Sequence, residues 1–312
     1  MEIYLHIGLA KTGTTFIQTI CEKNLHSLLS HGCAYLPRSH YACWPLLAGD
    51  PGPALEQLER AAAIGTRAVF LSCEDYAALA FHPSLALDFI DRIKARLTKD
   101  ITIAVHIRRQ DELFWSLYST LSINMFTEPF YMFHEALRQG YYCVVNTHDR
   151  SGLAPYYYFC FDHDRHLGHF FNILRSHDPD LRLRIYDYDA EGRFAGRQLF
   201  QEMGALPALK QLPAPEEENR RRSADQTAAG FSENFAKLVP ADFAQEARAL
   251  IEARAVVPEG LRRAMSRVLM DRFSDGNDRL LQRFAPDSPA QDGRDAPSAA
   301  PADADARGRG SV

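Results

Sequence analysis

Apolar and polar positions alternate along this chain in blocks that predict a layered α/β fold. Residues 3–7 form a short, apolar, β-prone run that leads straight into Gly8-Leu9-Ala10-Lys11-Thr12-Gly13-Thr14-Thr15. Beyond it Phe16, Ile17, Ile20, Leu25 and Leu28 recur at roughly helical spacing, so the segment reads as strand, glycine loop and helix. Residues 68–72 and 101–107 predict two more buried strands, each followed by residues able to open a helix. That order implies a central parallel sheet with helical crossovers in an α/β/α three-layer arrangement. Residues 112–121 and 167–174 predict helices, and 181–186 (LRLRIY) alternates as a half-exposed strand does. The C-terminal part reads as helical, with candidates at 194–203, 231–238, 243–253 and 261–284. From Pro286 onward the residues are Ala, Asp, Pro, Gly, Arg, Ser and Gln with one Val, too little apolar surface to offset the entropy of ordering. The expectation is one domain over residues 1–285 and a disordered tail over 286–312.

Composition changes this picture in three places. With 46% hydrophobic and 24% charged residues, the 312-residue chain can bury a substantial core. The formal net charge of −5, of which the tail's five Asp and three Arg supply −2, argues against a nucleic-acid binder driven by bulk charge. A local pocket of two or three cations for a small anion is compatible with that total. Cys21, Cys33, Cys43, Cys73, Cys143 and Cys160 are scattered, without a C-x-x-C pair, and read as reduced thiols. The first residues lack a basic stretch followed by a long apolar run, and no stretch has the roughly 18 apolar residues of a membrane span, so a bacterial cytoplasm is the expected location.

The glycine loop carries the first chemical signal. Between a strand and a helix it offers backbone N–H groups at the positive end of the helix dipole, a setting for phosphate or sulfate. Gly8-x4-Gly13 has the glycine spacing of a Walker A loop, but Thr14-Thr15 stand where that motif has Lys then Ser/Thr, and the lysine lies earlier, at Lys11. Nucleoside triphosphate hydrolysis is therefore disfavoured. Lys11-Thr12-Gly13-Thr14-Thr15 is similar to the K-[ST]-G-T-T signature of sulfotransferases that use 3′-phosphoadenosine 5′-phosphosulfate (PAPS). The resemblance implies a P-loop-like sulfotransferase fold and a loop, Lys11 to Thr15, that holds the 5′-phosphosulfate. It also implies that Lys11 stabilises charge on the leaving phosphate. PAPS is then a co-substrate, and no metal is called for.

A second segment strengthens the resemblance. The strand over 101–107 ends in Arg108-Arg109-Gln110-Asp111-Glu112-Leu113-Phe114-Trp115-Ser116, and an arginine is a permanent, bidentate donor suited to phosphate. In the family, the 3′-phosphate segment is a strand ending in Arg with Ser eight residues later; Arg108 and Ser116 match that spacing, and the R-R-Q-D version resembles the bacterial branch. The plainer alternative for Arg108 and Arg109 is a solvated helix start paired with Asp111 and Glu112.

Sulfuryl transfer to a hydroxyl or amine needs a base. Glu74, after the strand over 68–72, resembles the S-x-E glutamate of bacterial and glycan sulfotransferases, and Ser72 either orients it or ends the strand. His40, in Pro37-Arg38-Ser39-His40-Tyr41, is the second candidate, because small-molecule sulfotransferases use a histidine. Weaker signals remain. The histidines of Asp162-His163-Asp164-Arg165-His166-Leu167-Gly168-His169 fall at i, i+3 and i+6, and on a helix the outer two are about 240° apart, which favours a polar helix start over a metal site. Asn219-Arg220-Arg221-Arg222-Ser223 is the candidate late basic loop, with Arg222 as the nucleotide contact. Tyr156-Tyr157-Tyr158-Phe159 and Trp44 are core residues or the lining of an acceptor pocket. The acceptor, a small molecule or a glycan, and the oligomeric state are not readable. Two rivals stand beside the sulfotransferase: a P-loop small-molecule or nucleoside kinase, which needs magnesium, and a non-catalytic member that binds nucleotide or glycan.

Overall fold

The computed structural model describes residues 1–36, 40–125, 127–146, 155–192, 194–212 and 257–286, together with 152, 226, 227, 229, 230, 233 and 234. Among them, β1 (Glu2–Ile7), β2 (Cys33–Leu36), β3 (Ala68–Cys73), β4 (Ile101–Ile107) and β7 (Arg182–Asp187) form a five-stranded sheet in the order β2-β3-β1-β4-β7. All four pairings are parallel, with Ile3 opposite Val69 and Ile101, and His106 opposite Tyr186. Strands buried on both faces need apolar residues at every position, which is why β3 and β4 are buried throughout.

The two-residue period of the strands splits these residues between two layers. Ile3, Leu5, Ile7, Val69, Leu71, Ile103 and Val105 face α4 (Gly52–Ala63), α5 (Pro83–Arg96) and α8 (His169–His177). Tyr4, Phe70, Ala104 and Tyr186 face the opposite layer, α1 (Thr14–Lys23), α2 (Leu25–Ser30) and α9 (Arg197–Glu202). The chain is therefore α/β, with helices flanking a central parallel sheet on both faces.

A third cluster lies beside the sheet. It joins α6 (Gln110–Met125), α7 (Pro129–Gln139) and the long α10 (Glu259–Phe284) through Phe114, Leu117, Met132, Leu269 and Phe273. Trp115 Nε1 donates to Ser266 Oγ at 2.8 Å, and Gln110, His163 and Asn277 share buried hydrogen bonds across α6 and α10. An antiparallel hairpin, β5 (Tyr141–Val145) and β6 (Tyr156–Cys160), packs on the 3₁₀ turns Glu74–Ala80 that follow β3.

Local chemistry moves several expected boundaries. The helix after the glycine loop breaks at Asn24, whose Nδ2 donates to Ile20 O and Gln211 O and whose Oδ1 accepts from Lys210 N and Gln211 N. The expected helix over 194–203 shortens to α9 because Gly196 is left-handed, φ 87°, with Ile17 2.8 Å from where its Cβ would stand. The expected helix over 167–174 is a π turn, Asp164–Gly168, running into α8. Of the candidate at 231–238 only residues 233 and 234 are described, and both are helical; the candidate at 243–253 and nearly all of the expected tail lie outside the described residues, whereas the one at 261–284 is α10. The structure holds α3 (His40–Leu47), α4, α5, α7, β2 and the β5–β6 hairpin as well, none of which the pattern predicted. Among the described residues no helix is long and apolar enough to cross a membrane.

Candidate functional site

The loop leaves β1 at the carboxyl edge of the sheet, between β3 and β4, where open α/β sheets hold ligands. It is braced from within: Thr12 Oγ1 donates to Leu9 O at 2.6 Å and Thr14 Oγ1 to the same carbonyl at 3.3 Å. Both threonines are buried. A Cβ on Gly8 would stand 2.5 Å from Thr14 Cγ2. One on Gly13, which is left-handed at φ 82°, would stand 2.6 Å from Ala195 and 2.8 Å from the Tyr188 ring. Lys11 is the one non-glycine residue of positive φ (63°) among those described, a strained position of the kind that gathers at binding sites. The result is a tight cradle, and Gly13 caps α1 so that the free N–H groups of its first turn open into it.

Arg108 and Glu74 converge on this cradle from the neighbouring strands. Arg108 Nη1 donates to Lys11 O at 3.1 Å, and its guanidinium lies 4.9 Å from the Tyr188 ring centre. Its Nε is buried with no hydrogen-bond partner among the described residues, a donor for which a phosphate oxygen is a fitting acceptor. Two carboxylates compete for the same guanidinium: Glu112 Oε2 lies 3.5 Å from Nη2 and Asp189 Oδ1 lies 3.7 Å from Nε. Arg109, exposed, is held by Asp189 through its backbone N–H and by Asp111 through its side chain. The plainer expectation of paired arginines is thus met in geometry, with Asp189 as the partner that spacing did not foretell.

Glu74 is the first residue of the 3₁₀ turns after β3, and its Oε1 accepts from Thr15 Oγ1 at 3.2 Å. This joins the candidate base to the glycine loop. A cleft of about 30 Å³ opens at the same place, between Ala10, Glu74 and Asp75 on one side and Tyr156, Tyr157 and Tyr158 of β6 on the other. Trp44 Nε1 donates to Asp75 Oδ2 at 2.8 Å, so Trp44 meets the site through Asp75.

The other expected residues fall as follows. Ser116, half-buried, lies on α6 one turn beyond Glu112. His40 opens α3. Arg222 and the rest of Asn219–Ser223 lie outside the described residues. His163 is buried and bonded to Asn277 and Gln110, and burial lowers its pKa to about 4; His166 contacts Gln139 O. The histidine-rich stretch is therefore engaged in packing the helices. Cys43, Cys73 and Asp75 bring their ligand atoms within 4.8 Å of one another beside the cleft, where Asp75 Oδ2 is already taken by Trp44.

Sequence reasoning missed what lies beneath. Ser72 Oγ does not orient Glu74; it bonds His6 Nδ1 at 2.8 Å, and His6 Nε2 meets His106 Nδ1 at 3.0 Å. Burial, with His106 beside it, holds the His6 imidazole well below its ordinary pKa. The signal was present: His6 and His106 each interrupt an apolar strand two residues before Gly8 and Arg108. Compared with known proteins, the chain matches no family model, no curated protein and no solved structure.

Proposed function

We propose that this chain is a PAPS-dependent sulfotransferase that moves a sulfuryl group to a hydroxyl or amine of a small-molecule or glycan acceptor. The reading includes a P-loop-like sulfotransferase fold and a cytoplasmic location. The observation that carries it is the convergence of three strand ends: Glu74 bonded to Thr15 of the loop, and Arg108 bonded to Lys11 O from the other side. The glycine cradle and the orphaned Arg108 Nε fit a ligand with two phosphate-like groups. Here the loop amides of Gly13, Thr14 and Thr15 with Lys11 hold the phosphosulfate. Arg108, with Ser116, holds the 3′-phosphate once Glu112 and Asp189 yield to it.

In the transfer, the acceptor oxygen forms a bond to sulfur while the bond from sulfur to the bridging phosphate oxygen breaks. The acceptor proton passes to Glu74, and adenosine 3′,5′-bisphosphate leaves with its new charge beside Lys11. Glu74 is preferred to His40 because it lines the cleft beside the aromatic strand β6 and is bonded to the loop through Thr15.

Radiolabelled PAPS with a panel of alcohols, amines and oligosaccharides tests the reading. The expected result is label transfer, with Glu74→Gln slowing turnover by about 10²–10⁴-fold while nucleotide affinity holds, as for loss of a general base. Full turnover in Glu74→Gln would remove Glu74 from the chemistry, and absence of transfer with tight bisphosphate binding would favour a non-catalytic member.

A further inference from the structure

β3, β1 and β4 end in the three candidate elements, Glu74, the loop from Gly8 and Arg108. Two residues back along each strand, on the same face of the sheet, stand Ser72, His6 and His106. His6 and His106 are fully buried and Ser72 is 3% exposed. The contacts from Ser72 through His6 to His106 continue to a fourth residue: His106 Nε2 lies 3.2 Å from Oε2 of Glu191, whose side chain is 1% exposed. That contact has ion-pair distance but not hydrogen-bond geometry, and Nε2 has no hydrogen-bond partner among the described residues, so a small shift toward Glu191 would satisfy it. The layer is closed in by Phe70 against His6, by Tyr186 stacked on His106 at 4.9 Å, and by Gln18 of α1, whose Nε2 donates to Ser72 O. Tyr186 in turn donates to Glu202.

The direction of this chain follows from its far end. Glu191 Oε2 accepts the backbone N–H of Gly196 and Oε1 that of Gln198, at 2.8 Å for the latter, so the carboxylate sits over the amino end of α9 as an acceptor. An acceptor there makes His106 Nε2 the N–H, which leaves His106 Nδ1 to accept from His6 Nε2–H. His6 Nδ1 must then accept from the Ser72 hydroxyl. Glu191 also anchors the segment that carries Tyr188 and Ala195, the two residues packed against Gly13.

We infer that Glu191, His106, His6 and Ser72 are positioning residues, a one-way hydrogen-bond chain set by Glu191 that fixes the spacing of Glu74, the phosphate loop and Arg108. The inference rests on the reading of those three elements as one site. Two buried rings linked edge to edge bridge three strands beneath the anion site, and this makes the layer a rigid floor.

The test uses the full-length protein in two arms. Long-range nitrogen–proton NMR of the wild type should show Nε2–H and bare Nδ1 on both rings; Nδ1–H on either would overturn the chain's direction, whatever the protein binds. Glu191→Ala should let both rings populate the other tautomer and weaken adenosine 3′,5′-bisphosphate binding at least tenfold in a protein still folded by circular dichroism. Ser72→Ala, at the passive end, should leave both tautomers as in the wild type. Should Glu191→Ala not fold, His106→Gln keeps a donor toward Glu191 but none of the link to His6, and is expected to bind at least fivefold more weakly. Unchanged affinity in either variant overturns the positioning role. A wild type that does not bind the bisphosphate sinks the reading of the site, while the tautomers still decide the chain.

Discussion

The tightest contact in the cradle gives a prediction that can be worked through from distances. Replacing Gly8 with Ala puts a methyl 2.5 Å from Thr14 Cγ2 and 2.7 Å from Thr14 Oγ1. Thr14 is 1% exposed, branched at Cβ and tethered to Leu9 O, so it cannot swing aside. Overpacking of this kind costs about 1–3 kcal/mol. Thr14→Ala removes both clashing atoms and loses one hydrogen bond, worth about 1 kcal/mol, from a carbonyl that Thr12 still satisfies. In the double variant the nearest of these contacts relaxes to 3.1 Å, from Thr14 Cβ, which a shift of a few tenths of an ångström relieves. The two changes should therefore offset each other, with a coupling of about 1–2 kcal/mol in urea unfolding of the wild type, both single variants and the double. Additivity within about 0.5 kcal/mol would refute the folded-back loop.

Two further outcomes are expected. Glu112→Gln frees the Arg108 guanidinium from a partly screened pair, 18% and 35% exposed, that is worth about 1 kcal/mol, so bisphosphate affinity by calorimetry should rise about fivefold; an unchanged or lower affinity would take Arg108 out of the phosphate site. Stability should depend on pH through His163, whose burial lowers its pKa to about 4 from an unfolded value near 6.5. The unfolded chain takes up the proton first, so stability is full above about pH 6.5 and falls toward pH 4 by up to about 1.4 kcal/mol per unit, with His6 adding in the same direction; urea midpoints that stay constant from about pH 7 to 5 would contradict this.

The strands and the loop were legible because a parallel sheet buried on both faces writes itself as continuous apolar runs, and Gly8 and Gly13 punctuate the turn that follows β1. Glu74 and Arg108 were legible by their place at strand ends. The hairpin β5–β6 was not: the exposure of β6 falls from an exposed Tyr156 to a buried Cys160 without alternating, so its pattern carries no period. β2 is four residues at the sheet edge, too short to show a rhythm. The buried face of α4 is short, Ala54, Leu55, Leu58 and Ala61, and half of it is alanine. What surrounds Arg108 was hidden for another reason. Asp189 and Tyr188 reach it only because β7 pairs with β4, a contact set by the sheet and not by local spacing.

Calorimetric titration with adenosine 3′,5′-bisphosphate, with magnesium–ATP and AMP as controls, tests the central claim most directly. The account predicts tight, metal-independent binding of the bisphosphate alone, reduced by Arg108→Ala by about 1.5–3 kcal/mol for a lost charged hydrogen bond, about 10- to 150-fold. Preference for magnesium–ATP, or affinity for the bisphosphate that Arg108→Ala leaves intact, would contradict it.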